Sequence, residues 1–92
     1  MAALFGLGRI VATPGALSLL AANAITPAEL LARHVSGDWG EVPPGDAREN
    51  GCSLKYGWRI LSSYPVGDAG EKVWIITEAD RSSTCILLPE DY

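Results

Sequence analysis

The chain has 92 residues, 48% hydrophobic and 20% charged, with eleven acidic residues against seven basic ones and a net charge of -4. A single domain of this size buries roughly two-thirds of its unfolded surface on folding, and the composition excludes disordered and fibrous classes. The acidic balance works against direct binding to nucleic acid or anionic membrane and favours a basic partner.

From the N-terminus, Gly8-Arg9-Ile10-Val11-Ala12 predicts a short strand. Thr13-Pro14-Gly15 supplies an N-cap residue and a proline for the first helical turn. The helix that follows, through Ala22, is expected to bury Leu17, Leu20 and Ala21 at i, i+3, i+4 spacing. Arg9, the apolar run Ile10 to Leu20 and Ala22-Asn23-Ala24 imitate a signal peptide, but Pro14 and Gly15 interrupt the run, so the chain is expected to be cytoplasmic. No window approaches the ~20 uninterrupted apolar residues of a membrane span.

Thr26-Pro27-Ala28-Glu29 is a capping box that starts a second helix of about three turns. Leu31 and Val35 define its expected buried face, His34 lies in its last turn, and Gly37 is its left-handed cap. A histidine there complements the helix dipole, and a role as general base would need a Ser, Cys or carboxylate beside it. Asp38 to Asp46 reads as a loop pinned by Trp39, and Pro44 to Asn50 as one or two helical turns stopped by Asn50-Gly51.

Strands are predicted near residues 58–65, 72–79 and 83–88, and they pair as an antiparallel meander. The clearest piece is the Glu71–Pro89 hairpin, whose arms Val73–Ile76 and Thr84–Leu88 flank a polar corner from Glu78 to Ser83. The fold class is therefore α+β, a single compact domain over residues 1–92 with N-terminal helices packed on a C-terminal three-stranded antiparallel meander and a short N-terminal strand.

Cys52 and Cys85 are the only cysteines and His34 is the only histidine. No metal site is expected, because ligand spacing for zinc is absent. The two thiols are expected to be buried and free, a bridge being the alternative in an oxidising compartment. No P-loop, nucleophile elbow, dinucleotide fingerprint or zinc-protease motif is present, so no catalytic residue, no cofactor and no enzyme activity are expected. Trp39, Trp58, Trp74, Tyr56 and Tyr64 are expected in the core.

T-P-G-A-L at 13–17, H-V-S-G-D-W-G at 34–40, S-L-K-Y-G-W-R-I-L-S-S-Y at 53–64 and I-T-E-A-D-R-S-S-T at 76–84 resemble a family of short bacterial proteins of plasmids, phages and genomic islands. Some members carry labels borrowed from neighbouring restriction genes. In size and charge the chain is similar to anti-CRISPR proteins of type I systems. The resemblance implies a counter-defence protein that binds the basic DNA-binding surface of a CRISPR interference complex as a DNA mimic, and the chain is expected to be a monomer. Its candidate acidic faces are Asp38, Glu41, Asp46 and Glu49 in the central loop, and Glu78 and Asp80 at the hairpin corner. The alternative is a non-enzymatic accessory module of a mobile element that takes a small ligand or protein at the Glu78–Thr84 corner.

Overall fold

The computed structural model describes residues 3–92. Strand β1 (Arg9–Ala12) leads into helices α1 (Pro14–Ala22), α2 (Pro27–Val35) and α3 (Pro44–Tyr56). Strands β2 (Ile60–Val66), β3 (Glu71–Thr77) and β4 (Ser83–Leu87) follow, with a 3-10 turn over Pro89–Asp91. The protein is α+β, and its sheet has four strands in the order β1-β4-β3-β2. The expected meander is present, but β1 joins it in parallel beside β4, so the sheet is mixed.

The period-2 pattern decides which side of the sheet is buried. Tyr64 and Val66 of β2, Val73 and Ile75 of β3 and Ile86 of β4 share one face, which packs against Ala16 and Leu20 of α1 and Leu30 of α2. The register sets Tyr64 beside Val73 and Ile75 beside Ile86. Each such aliphatic side chain removed from water contributes about 2 kcal/mol.

Both early helices begin as their residues dictate. The Thr13 hydroxyl accepts from the Ala16 amide at 3.3 Å, and Thr26 and Glu29 exchange the reciprocal bonds of the capping box at 3.3 and 3.2 Å. Their buried faces are offset from the expected ones. Ala16 and Leu20 are buried while Leu17 is exposed, and Leu30 and His34 are buried while Leu31 and Val35 are half-buried. In α1 the expected Leu20 is buried with Ala16 in place of Leu17, and in α2 the stripe is one residue earlier, with His34 turned to the sheet where Ser62 and Thr77 meet it.

The largest departure is α3. It runs through Asn50-Gly51 for 13 residues and stops only at Gly57, whose φ of 76° supplies the left-handed cap. Trp58 and Tyr56 at this end are exposed rather than core. Cys52 on α3 is exposed and Cys85 on β4 half-buried, and both are free. Among the described residues no single helix is long and apolar enough to cross a membrane.

Candidate functional site

The sequence offered the hairpin corner, the central acidic loop and His34 as places for chemistry. His34 lies on the inner face of α2, wholly buried, at the head of a polar chain. Its Nδ1 is 2.5 Å from Ser62 Oγ and its Nε2 is 2.9 Å from Thr77 Oγ1. Thr77 Oγ1 is 2.8 Å from Thr84 Oγ1, and the Thr84 hydroxyl donates to the Leu7 carbonyl at 2.7 Å.

A carbonyl can only accept, and each hydroxyl has one proton to give, so the last bond orders all the others. Thr84 gives its proton to Leu7, Thr77 to Thr84, and His34 Nε2–H to Thr77. Nδ1 is then the acceptor for the Ser62 hydroxyl. Burial, and after it the Arg81 guanidinium, pushes the imidazole down to about 4, which keeps it neutral at physiological pH. Phe5 and Trp39 close over the ring at centroid distances of 5.2 and 5.9 Å.

A serine hydroxyl bonded to a histidine is the start of a nucleophilic dyad. Here both partners are 0% exposed, and the second ring nitrogen donates to a threonine instead of a carboxylate. The geometry suits a latch between α2 and the sheet, with its polar atoms satisfied.

The hairpin corner is also committed to structure. Asp80 Oδ1 accepts the Ser82 amide at 2.9 Å, and hydrogen bonding from Ser82 holds the Asp80 carboxyl below its usual range. Arg81 donates to the carbonyls of Trp58 at 2.7 Å and Ser53 at 2.9 Å, and also to those of Glu78 and Ala79. A guanidinium on the last-turn carbonyl of α3 complements the helix dipole and ties the corner to the helix end. Asp80 and Arg81, the two charged groups expected to face a ligand here together with Glu78, are thus engaged with backbone of the turn and of the end of α3.

The remaining candidates divide. Asp38 pairs with Arg33 at 2.7 Å and accepts from the Gly40 amide at 3.2 Å, and the Arg33 bond holds its carboxyl below the usual range. It orders the loop, whose Trp39 carbonyl and Glu41 amide pair with Ser63 of β2 at 3.0 and 2.7 Å. Glu41, Asp46 and Glu49 lie along the outer edge of β2. Asp46 and Glu49 line a cleft of about 310 Å³ with Asn50, Ser53, Arg59 and Leu61. Glu41 lines a second of about 150 Å³ with Glu71, Lys72, Ser63, Pro65 and Gly70.

The side chain of Asn50 holds α3 against that edge. Its amide donates to the Leu61 carbonyl at 2.7 Å and its oxygen accepts the Leu61 amide at 3.1 Å, as a neighbouring strand would. Glu71 was not among the residues singled out from the sequence, since a charge at a strand start carries no sign of what stands beside it. From Arg59 to Pro65 the edge is about 20 Å long at the rise of a strand. No group of His, Cys, Asp and Glu among the described residues could hold a metal ion.

What the fold and this edge define is an α+β domain with a 1-4-3-2 mixed sheet and an acidic border on β2. No protein-family model, curated protein or solved structure matches the chain.

Proposed function

We propose that the protein is a non-enzymatic inhibitor that binds a basic, nucleic-acid-handling surface through the acidic border of β2. The observation that carries this reading is the gathering of Glu41, Asp46, Glu49 and Glu71 along one sheet edge, in a chain of net charge -4. Four carboxylates over about 20 Å are sparser than the phosphates of duplex DNA, which carries one charge per ~1.7 Å of axis. Arg59 and Lys72 share the same clefts. The mimicry is therefore partial. The carboxylates meet individual lysines and arginines and steer the encounter, and binding weakens as salt rises.

The particular partner proposed is the DNA-binding surface of a type I CRISPR interference complex, in line with the resemblance to small proteins of mobile elements. The test mixes the purified protein with such a complex and measures target-DNA binding at several salt concentrations. Loss of DNA binding at low salt, relieved by E41K, E49K and E71K and unaffected by E78K and D80K, supports the reading. Unchanged DNA binding at every salt concentration would sink it.

A further inference from the structure

The two edges of the sheet are finished differently. Along β2, Leu61 is paired with the Asn50 side chain, Ser63 with Trp39 and Glu41, and Pro65 has no N–H to offer. Along β1, the Arg9 and Thr13 amides donate inward to the carbonyls of Ser82 and Ile86. Strand alternation then turns the N–H and C=O of Ile10 and Ala12 outward. Nothing among the described residues meets them. Ile10 is 49% and Val11 42% exposed, on opposite faces of the sheet. An open apolar edge is what folded proteins ordinarily blunt, as this one does at β2.

We propose that β1 is a self-association edge, pairing antiparallel with β1 of a second copy across a twofold axis. Val11 sits on the axis, and Ile10 lies opposite Ala12 of the second copy. In this register both outward residues of each strand find backbone partners. It also sets Arg9 opposite Thr13 of the second copy as a non-hydrogen-bonded pair, ~5 Å apart between Cβ atoms. The Thr13 hydroxyl donates to Asp91 Oδ2 at 2.7 Å, and Asp91 Oδ1 accepts no hydrogen bond among the described residues. Arg9, on the same face, has no carboxylate within 4.0 Å among them, where the only ion pair is Arg33 with Asp38.

The twofold thus brings an unpaired guanidinium to a half-used carboxylate, and does so twice. That complementarity of the edge with itself selects a second copy over an unrelated strand. Two short strands bury less than the ~1,200 Å² of a standard interface, so association is weak and driven by concentration. It departs from the monomer expected of the sequence. It leaves both acidic β2 borders free at the far ends of a continuous sheet, and it stands or falls independently of the proposed partner.

Sedimentation from about 10 μM to 1 mM, a range that brackets weak protein association, is combined with residue-resolved amide exchange. The expected result is an average mass rising toward two chains, with exchange at Ile10 and Ala12 slowing as concentration rises and exchange at Val11 unchanged. I10P removes only an outward N–H and keeps the ladder to β4, so it stays folded and lowers the association constant at least ~10-fold, and R9E lowers it by a smaller factor. A wild-type chain that remains monomeric at the highest concentration overturns the proposal. So does a folded I10P variant that associates as well as wild type. If I10P does not fold, the concentration dependence of the Ile10 and Ala12 amides in the wild-type chain decides.

Discussion

His34 on α2 and Ser62 on β2 meet with Nδ1 2.5 Å from Oγ, and neither side chain has any surface in contact with solvent. The folded imidazole titrates near 4 against 6.5 for an unburied one. Between those values the unfolded chain binds more protons than the native one, so stability rises with pH there. As pH falls from 6.5 toward 4 the protein is expected to lose up to about 3 kcal/mol. Urea midpoints measured across this range check it. A flat profile would show that His34 is solvated in the native state.

Gly40 and Gly51 should respond to alanine with opposite signs. Gly40 has a φ of 72°, and a Cβ on it would approach the Ser63 carbonyl oxygen to 2.1 Å. Gly40→Ala is expected to cost about 2 kcal/mol or more. Gly51 lies inside α3 with nothing within 4 Å of its Cβ position. Gly51→Ala should stabilise by roughly 0.5–1 kcal/mol, and thermal melts of the two variants test the pair.

Arg81 joins the hairpin corner to the end of α3 through the Ser53 and Trp58 carbonyls. Lysine has the charge but not the fork, so Arg81→Lys is expected to lose about 1–3 kcal/mol of stability. Amide exchange should report where the loss falls. The Gly57 amide, bonded to the Ser53 carbonyl at 2.9 Å, is expected to open first.

Asn50→Leu removes the side chain that occupies the Leu61 backbone. The lost bonds cost about 2–3 kcal/mol, and β2 gains an open edge. Light scattering at rising protein concentration should therefore show association that wild type lacks at that edge. Asn50→Asp keeps the acceptor and loses the donor, and is expected to fall between the two.

The hairpin was legible because its arms are apolar, its corner is polar, and both signals are local. The Thr26–Glu29 box was legible for the same reason. Residue order hid whatever depends on a distant partner. Asn50-Gly51 has the composition of a helix stop, yet the Asn50 amide is spent on a strand 11 positions away. His34 finds Ser62 at a separation of 28, and Thr77 at 43. The number of acidic residues was plain, but not which of them share an edge. Asp38 turned out to serve its own loop, while Glu71 joined Glu41 beside β2. Parallel pairing of β1 with β4 leaves no turn between them to be read.

That parallel pair joins residues from opposite ends of the described chain. Thr13 and its partner Asp91 are 78 positions apart, and Leu7 and Thr84 are 77 apart. Contacts of such separation close late, because the whole intervening loop must be ordered first. During synthesis β1 is made before β4, the strand it pairs with in the sheet. Until residues 83–87 are available, Ile10 and Val11 belong to a strand with two open edges, and in that interval the nascent chain is most exposed to mispairing.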